Sequence, residues 1–126
     1  MYITNKSNLP DLIDNPHGEA VQEILGLQAG GVQSHILAKV VIAPGKSSLP
    51  HYHKESEESY LVLSGKAKLV IDSKKFELSP GNAVLIEPYE VHQIFNPEKE
   101  DLVFLAVCVP AWHPEDSFDA EANPTA

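Results

Sequence analysis

The stretch GKSSLPHYHKESEESYLVLSG, Gly45 to Gly65, holds two of the chain's six histidines one residue apart, then two adjacent glutamates, then an apolar run. Alternate residues of an extended strand point to the same side, so His51 and His53 are aimed at one point. The same parity groups Glu58 with Tyr60 and Val62 on one face. Glu57 falls on the other face with Ser59, Leu61 and Leu63. Glu57 and Glu58 compete as the carboxylate beside the imidazoles, and parity favours Glu58. Leu61 and Leu63 are expected to pack against a second sheet.

Working outward, short apolar and β-branched segments recur with Gly, Pro, Asn and Ser between them. HILAKVVIA, SYLVLSG, AKLVID, KFELS, AVLIEP, VHQIFN and DLVFLAVCV all read as strands. Pro44-Gly45 and Pro80-Gly81 suit turns, and DSKK is a tight connection. No segment sustains a helical period, so the pattern predicts an all-β sandwich or barrel. In Ser34–Ala43 the face with Ile36, Ala38, Val40 and Ile42 is the predicted core face. The opposite face, with His35 and Lys39, reads as solvent-facing or as the wall of a partly polar cavity, with exposure favoured.

With 126 residues the chain amounts to one domain, 1–126. Residues 1–18 read as an N-terminal arm, with a strand following at AVQEIL, and 119–126 as a loose acidic tail. The net charge of −9 argues against nucleic acid or an anionic membrane as a partner. No apolar run reaches bilayer length and the first residues lack signal-peptide character. Cys108 is the only cysteine, which points to a reducing, cytoplasmic setting, and it sits in an apolar run as a buried small hydrophobe. The chain has no arginine, so the bidentate guanidinium grip on a phosphate or carboxylate is absent.

Later in the chain His92 opens another strand-like segment, with Ile94 and Asn96 on its face. Three imidazoles and one carboxylate gathered inside a barrel make a competent site for a divalent transition metal. The joint spacing resembles the cupin superfamily, in its small single-domain bacterial form. Gly45, His51, His53, Glu58 and Gly65 fit the first cupin motif, G-x5-H-x-H-x4-E-x6-G. Gly81, His92 and Asn96 fit the second, G-x5-P-x-G-x2-H-x3-N, which departs at Glu87 for the proline and Tyr89 for the glycine. Glu87 is expected to be solvated. Tyr89 implies a turn that does without positive φ or tolerates its strain.

The resemblance, which spans Val32 to Val109, implies a double-stranded β-helix, or jelly-roll barrel. It implies one divalent metal (Mn, Fe, Ni, Cu or Zn) held by His51, His53, Glu58 and His92. It also implies a compact, oxygen-bearing small-molecule ligand and a homodimer. Within the family such a centre serves isomerases, lyases and dioxygenases as well as non-catalytic metal- or metabolite-binding proteins, so the fold alone does not choose a reaction. Tyr60, on the Glu58 face, is the expected proton donor or ligand partner. Asn96 is expected to orient a ligand. Trp112 is expected to cover a barrel opening or a dimer seam, and His113 to be a solvated histidine.

Overall fold

Each segment read as a strand becomes one, although not every apolar side chain turns inward. The computed structural model describes residues 1–16, 18–30 and 34–120. In chain order the strands are β1 (Ile13–Asp14), β2 (Glu19–Leu25), β3 (Ile36–Ile42), β4 (His51–Tyr52), β5 (Glu57–Ser64) and β6 (Ala67–Ile71). They continue as β7 (Lys74–Leu78), β8 (Ala83–Ile86), β9 (His92–Phe95), β10 (Leu102–Val109) and β11 (Phe118–Asp119), with a 3-10 turn at Pro114–Asp116. Two antiparallel sheets result. One is ordered β1-β2-β3-β10-β5-β8 and the other β11-β4-β9-β6-β7. They stack as the double-stranded β-helix. Among the described residues no helix is long and apolar enough to cross a membrane.

The core lies between the sheets. Ile42, Leu69 and Leu102 are fully buried, joined by Val62, Ile86, Ile94 and Phe104. Each such side chain contributes on the order of 1.5–3 kcal/mol by leaving water. β3 follows the expected parity: Ala38, Val40 and Ile42 are buried while Lys39 is exposed. β10 buries Leu102, Phe104, Ala106 and Cys108.

Leu61 and Leu63 correct an expectation, because both are exposed. The second sheet lies on the side toward which Glu58, Tyr60 and Val62 point, so the opposite parity of β5 must face outward.

Of the turns with positive φ, two bear on the site's frame. Gly65, between β5 and β6, has φ +83, and a Cβ there would stand 2.7 Å from the Asp101 carbonyl oxygen. Tyr89 has φ +70, so the turn before His92 does require the left-handed region and the tyrosine bears it. The Tyr89 N–H donates to the His53 carbonyl at 2.6 Å, and its ring stacks on Tyr52, which stacks on Phe118. Those contacts hold the strained turn on β4.

The chain ends are less detached than their polarity implied. Within the predicted arm, β1 pairs with β2. At the other end Asp119 pairs with His51, and the Ala120 N–H donates to the Pro50 carbonyl at 3.0 Å. Residues 121–126 of the predicted tail, and His17 and Val32, lie outside the described residues.

Candidate metal centre

The pairing of β4 with β9 sets His51 directly opposite His92. Their ring centroids are 4.2 Å apart. His53 follows one residue beyond β4, its centroid 5.1 Å from that of His51. Glu58 comes from the facing sheet, on β5 between Cys108 of β10 and Ile86 of β8. One donor atom from each of His51, His53, Glu58 and His92 lies within 4.8 Å of all the others. The four residues singled out by spacing therefore meet, although they come from three strands and a loop.

Backbone carbonyls fix the imidazole tautomers. His51 Nδ1 lies 2.8 Å from the Leu49 oxygen, His53 Nδ1 2.7 Å from that of Asp116, and His92 Nδ1 2.9 Å from that of Glu90. A carbonyl only accepts, so each Nδ1 carries the proton and each neutral ring turns an Nε2 lone pair inward. Glu58 Oε1 stands 3.3 Å from His53 Nε2 and 3.1 Å from His92 Nε2. Acceptors facing acceptors at that range require a proton or a cation between them. His53 Nε2 is buried with no hydrogen-bond partner, which marks the vacant role. A divalent transition metal fits this donor set: neutral imidazole nitrogens oriented from behind and one carboxylate.

Electrostatics agree with the geometry. Burial opposes ionisation of Glu58, but the His53 and His92 imidazoles beside it outweigh burial and hold the carboxyl well below the usual range. Burial works against a charged His53, but Glu58 beside it raises its pKa on balance. Burial, with His92 adjacent, pushes His51 down to about 4, so that ring is neutral near pH 7. Tyr60 donates to Glu58 Oε1 at 3.3 Å. Burial first, then Glu58 and Glu19, raise its pKa well above 10, so it acts as an O–H donor and not as a phenolate.

The centre opens into a cavity of about 390 Å³. That is within the size range of small-molecule sites. Tyr60 and Trp112 both line it, and Val21, Ile36, Val40 and Phe104 give it an apolar wall. Cys108 also reaches it, buried and pushed up to about 12 by desolvation, hence an inert thiol as expected.

Several residues weighed from the sequence stand outside the cavity. His35 and Lys39 do not line the cavity, and Glu87 is exposed away from it. Asn96 is a correction. Its amide donates to the carbonyls of Ile42 and Glu100 at 2.8 and 2.7 Å, so it pins backbone and orients no ligand. His113 pairs with Glu115 at 3.1 Å, outside the cavity.

Two contributions escaped the sequence reading. The arm supplies Asp11, Ile13 and Asn15 to the rim, and β2 turns Glu19, Val21 and Glu23 inward. The i, i+2, i+4 parity of β2 groups those three residues on one face but does not say that this face meets the cavity. The second is Asp116, whose carboxylate accepts the N–H groups of Lys54, Glu55 and Ser56 while its carbonyl holds His53. No local pattern announces it.

Comparison with known proteins decides the family. The cupin domain model, Cupin_2, matches residues 38–108, more than half of the chain. The chain belongs to the cupin family. This cupin is 32% identical over 102 residues to the uncharacterised protein MJ1618 of Methanocaldococcus jannaschii, covering 79% of this chain and 80% of that one. It is 26% identical over 113 residues to the oxalate-binding protein of Thermotoga maritima, covering 86% and 93%. Among solved structures it resembles a cupin-superfamily sugar phosphate isomerase from Silicibacter pomeroyi, with 31% identity and TM-score 0.65. That match covers 73% of this chain and only 59% of the isomerase. A Streptomyces nucleoside dehydratase superposes with TM-score 0.79 over 96% of this chain and 92% of its own, at 15% identity, which is a likeness of fold.

Proposed function

We propose that this cupin is a metal-dependent small-molecule enzyme, with His51, His53, Glu58 and His92 as ligands to one divalent transition metal and Tyr60 as the group that handles a proton. The observation that carries the reading is the meeting of three inward Nε2 lone pairs and a carboxylate, with His53 Nε2 buried and unpartnered. A metal held there supplies Lewis acidity toward a substrate oxygen. The chain's own part is to orient and to exclude water. The carbonyls of Leu49, Glu90 and Asp116 fix the imidazoles, and the apolar wall shields one side of the ligand. Tyr60, held neutral, donates its proton or a hydrogen bond to an oxygen on the bound molecule.

The named relatives support a small-molecule role, one as an isomerase and one as a binding protein. A second reading, a non-catalytic metal- or metabolite-binding cupin, is supported by the Tyr60 hydroxyl already being engaged with Glu58. The reading includes a homodimer, supported by Leu61, Leu63 and Leu85 left exposed on the outer sheet face, and a cytoplasmic setting, supported by the single buried thiol. A monomer in sedimentation at micromolar concentration would refute the assembly.

Elemental analysis of the purified chain tests the centre. One metal per chain is expected, with near-complete loss in His53→Ala and His92→Ala; full retention in both would end the proposal. Tyr60→Phe then separates the two readings. Lower kcat on a turned-over substrate at unchanged metal content supports the enzyme, whereas ligand binding without turnover in the native chain supports the binder.

A further inference from the structure

The charged side chains that line the cavity are carboxylates. Asp11 and Asp119 stand on its exposed rim, Glu19 and Glu23 project from β2, and Glu58 lies at its base. No lysine lines it among the described residues, and the chain contains no arginine. The lysines are spent elsewhere: Lys39 points outward from β3, and Lys54 lies 4.2 Å over the Phe118 ring.

Two of the carboxylates have further duties. Glu23 accepts the Gln28 N–H at 2.7 Å and that of Ala29, so it also closes the loop after β2. Glu19 makes its field felt at the Tyr60 hydroxyl. The Glu23 contacts are to neutral backbone N–H groups and leave its negative charge on the wall. Leaving Glu19 aside, the four carboxylates of Asp11, Glu23, Glu58 and Asp119 still outweigh the two charges of a divalent ion in the His–Glu cluster, so the site remains net negative when loaded. A cleft lined by one sign, with low-dielectric walls, focuses its field on whatever enters. His53 Nε2, buried and aimed into the same cavity without a partner, shows that the cavity is built to receive something.

We infer that this cavity takes a compact uncharged or cationic ligand, bearing hydroxyl or amine donors and an apolar flank, and discriminates against phosphorylated and carboxylate ligands. The inference rests on the metal reading above and adds the substrate class to it. The donors would meet the rim carboxylates, and the flank would lie on Val21, Ile36 and Phe104. Two relatives are named for anionic ligands, a sugar phosphate and oxalate; on this wall such a ligand would find, among the described residues, no lysine or arginine for a charge-assisted hydrogen bond and only the metal as a cation.

The test uses the full chain loaded with cobalt(II), whose visible spectrum reports both loading and exogenous ligands. Azide serves as the anionic probe and imidazole, at pH 8, as the neutral one. Asp11→Asn with Asp119→Asn removes two rim charges. Azide is expected to bind the double variant roughly tenfold more tightly than the native chain, with imidazole affinity changed by less than about twofold. Oxalate is expected to follow azide, and Asp11→Lys alone to shift both in the same direction. Azide affinity equal within twofold in native and variant chains would overturn the inference while leaving the metal reading intact. A native chain that gives no cobalt spectrum would remove the metal reading and this inference together.

Discussion

Replacing Asp116 by alanine tests whether the C-terminal turn holds the metal centre in shape. The carboxylate accepts the Lys54 N–H at 2.9 Å, that of Glu55 at 3.0 Å and that of Ser56 at 3.0 Å. Ser56 is 2% exposed, so its stranded N–H costs about 1–3 kcal/mol. Lys54 and Glu55 are exposed, and water replaces much of what they lose, at about 0.5–1 kcal/mol each. The expected loss is about 3 kcal/mol, or roughly 10 °C in Tm for a chain of 126 residues. Because the Asp116 carbonyl also fixes the His53 tautomer at 2.7 Å, metal affinity should fall about 10- to 100-fold.

Urea denaturation of the metal-free chain gives the first number and competitive titration with a chelating dye the second. Asp116→Asn, which keeps one acceptor oxygen, should recover part of both. The carboxylate also predicts a pH dependence. Burial opposes its charge, but the three N–H donors outweigh burial and lower its pKa in the folded chain. Its contribution is therefore present above the unfolded value of 3.8 and is lost as pH falls through the folded pKa. A native-like melt for Asp116→Ala within 1 kcal/mol, together with unchanged metal affinity, would refute the reasoning.

Gly65→Ala should cost at least about 2–3 kcal/mol in urea, since its φ of +83 is strained for alanine and the added Cβ meets the Asp101 carbonyl at 2.7 Å. A melt equal to that of the native chain would contradict the close approach. Asn96→Ala should lose about 2–4 kcal/mol, because the Ile42 and Glu100 carbonyls lose their amide donors, yet leave the metal content unchanged. Loss of metal from a folded Asn96→Ala chain would restore the ligand-orienting role that the geometry denies it. Tyr89→Gly should relieve about 1 kcal/mol of left-handed strain and lose a comparable stacking contribution with Tyr52, leaving stability within about 1 kcal/mol. A loss above 2 kcal/mol would mean that the ring, and not the backbone, sets that turn.

What could be read in advance was what one strand encodes by itself. Period-two spacing put His51 and His53 on one side and Glu58 with Tyr60, and those residues do meet. The same local logic misjudged Leu61 and Leu63, because parity tells which residues share a face and not which face meets the second sheet. Tyr89 leaves open a turn without positive φ or one that bears its strain, and a 2.6 Å hydrogen bond to the His53 carbonyl and a stack on Tyr52 hold the second.

The rest of the site was illegible for a topological reason. Asp116 lies 60 to 62 residues from the N–H groups that it binds. Its fit depends on how the chain returns after β10, which no window around position 116 reveals. The arm and β2 come to the cavity in the same way, because β2 pairs with β3 and carries Glu19, Val21 and Glu23 along the inner face beside Ile42, Val40 and Ala38. Metal ligands are local because a cation demands a short list of donor types at strict geometry. The wall that selects a ligand is distributed, and here the distributed part carries most of the negative charge. That is why the sequence spoke early about a metal, while the question of what binds beside it is answered by strands that only folding makes neighbours.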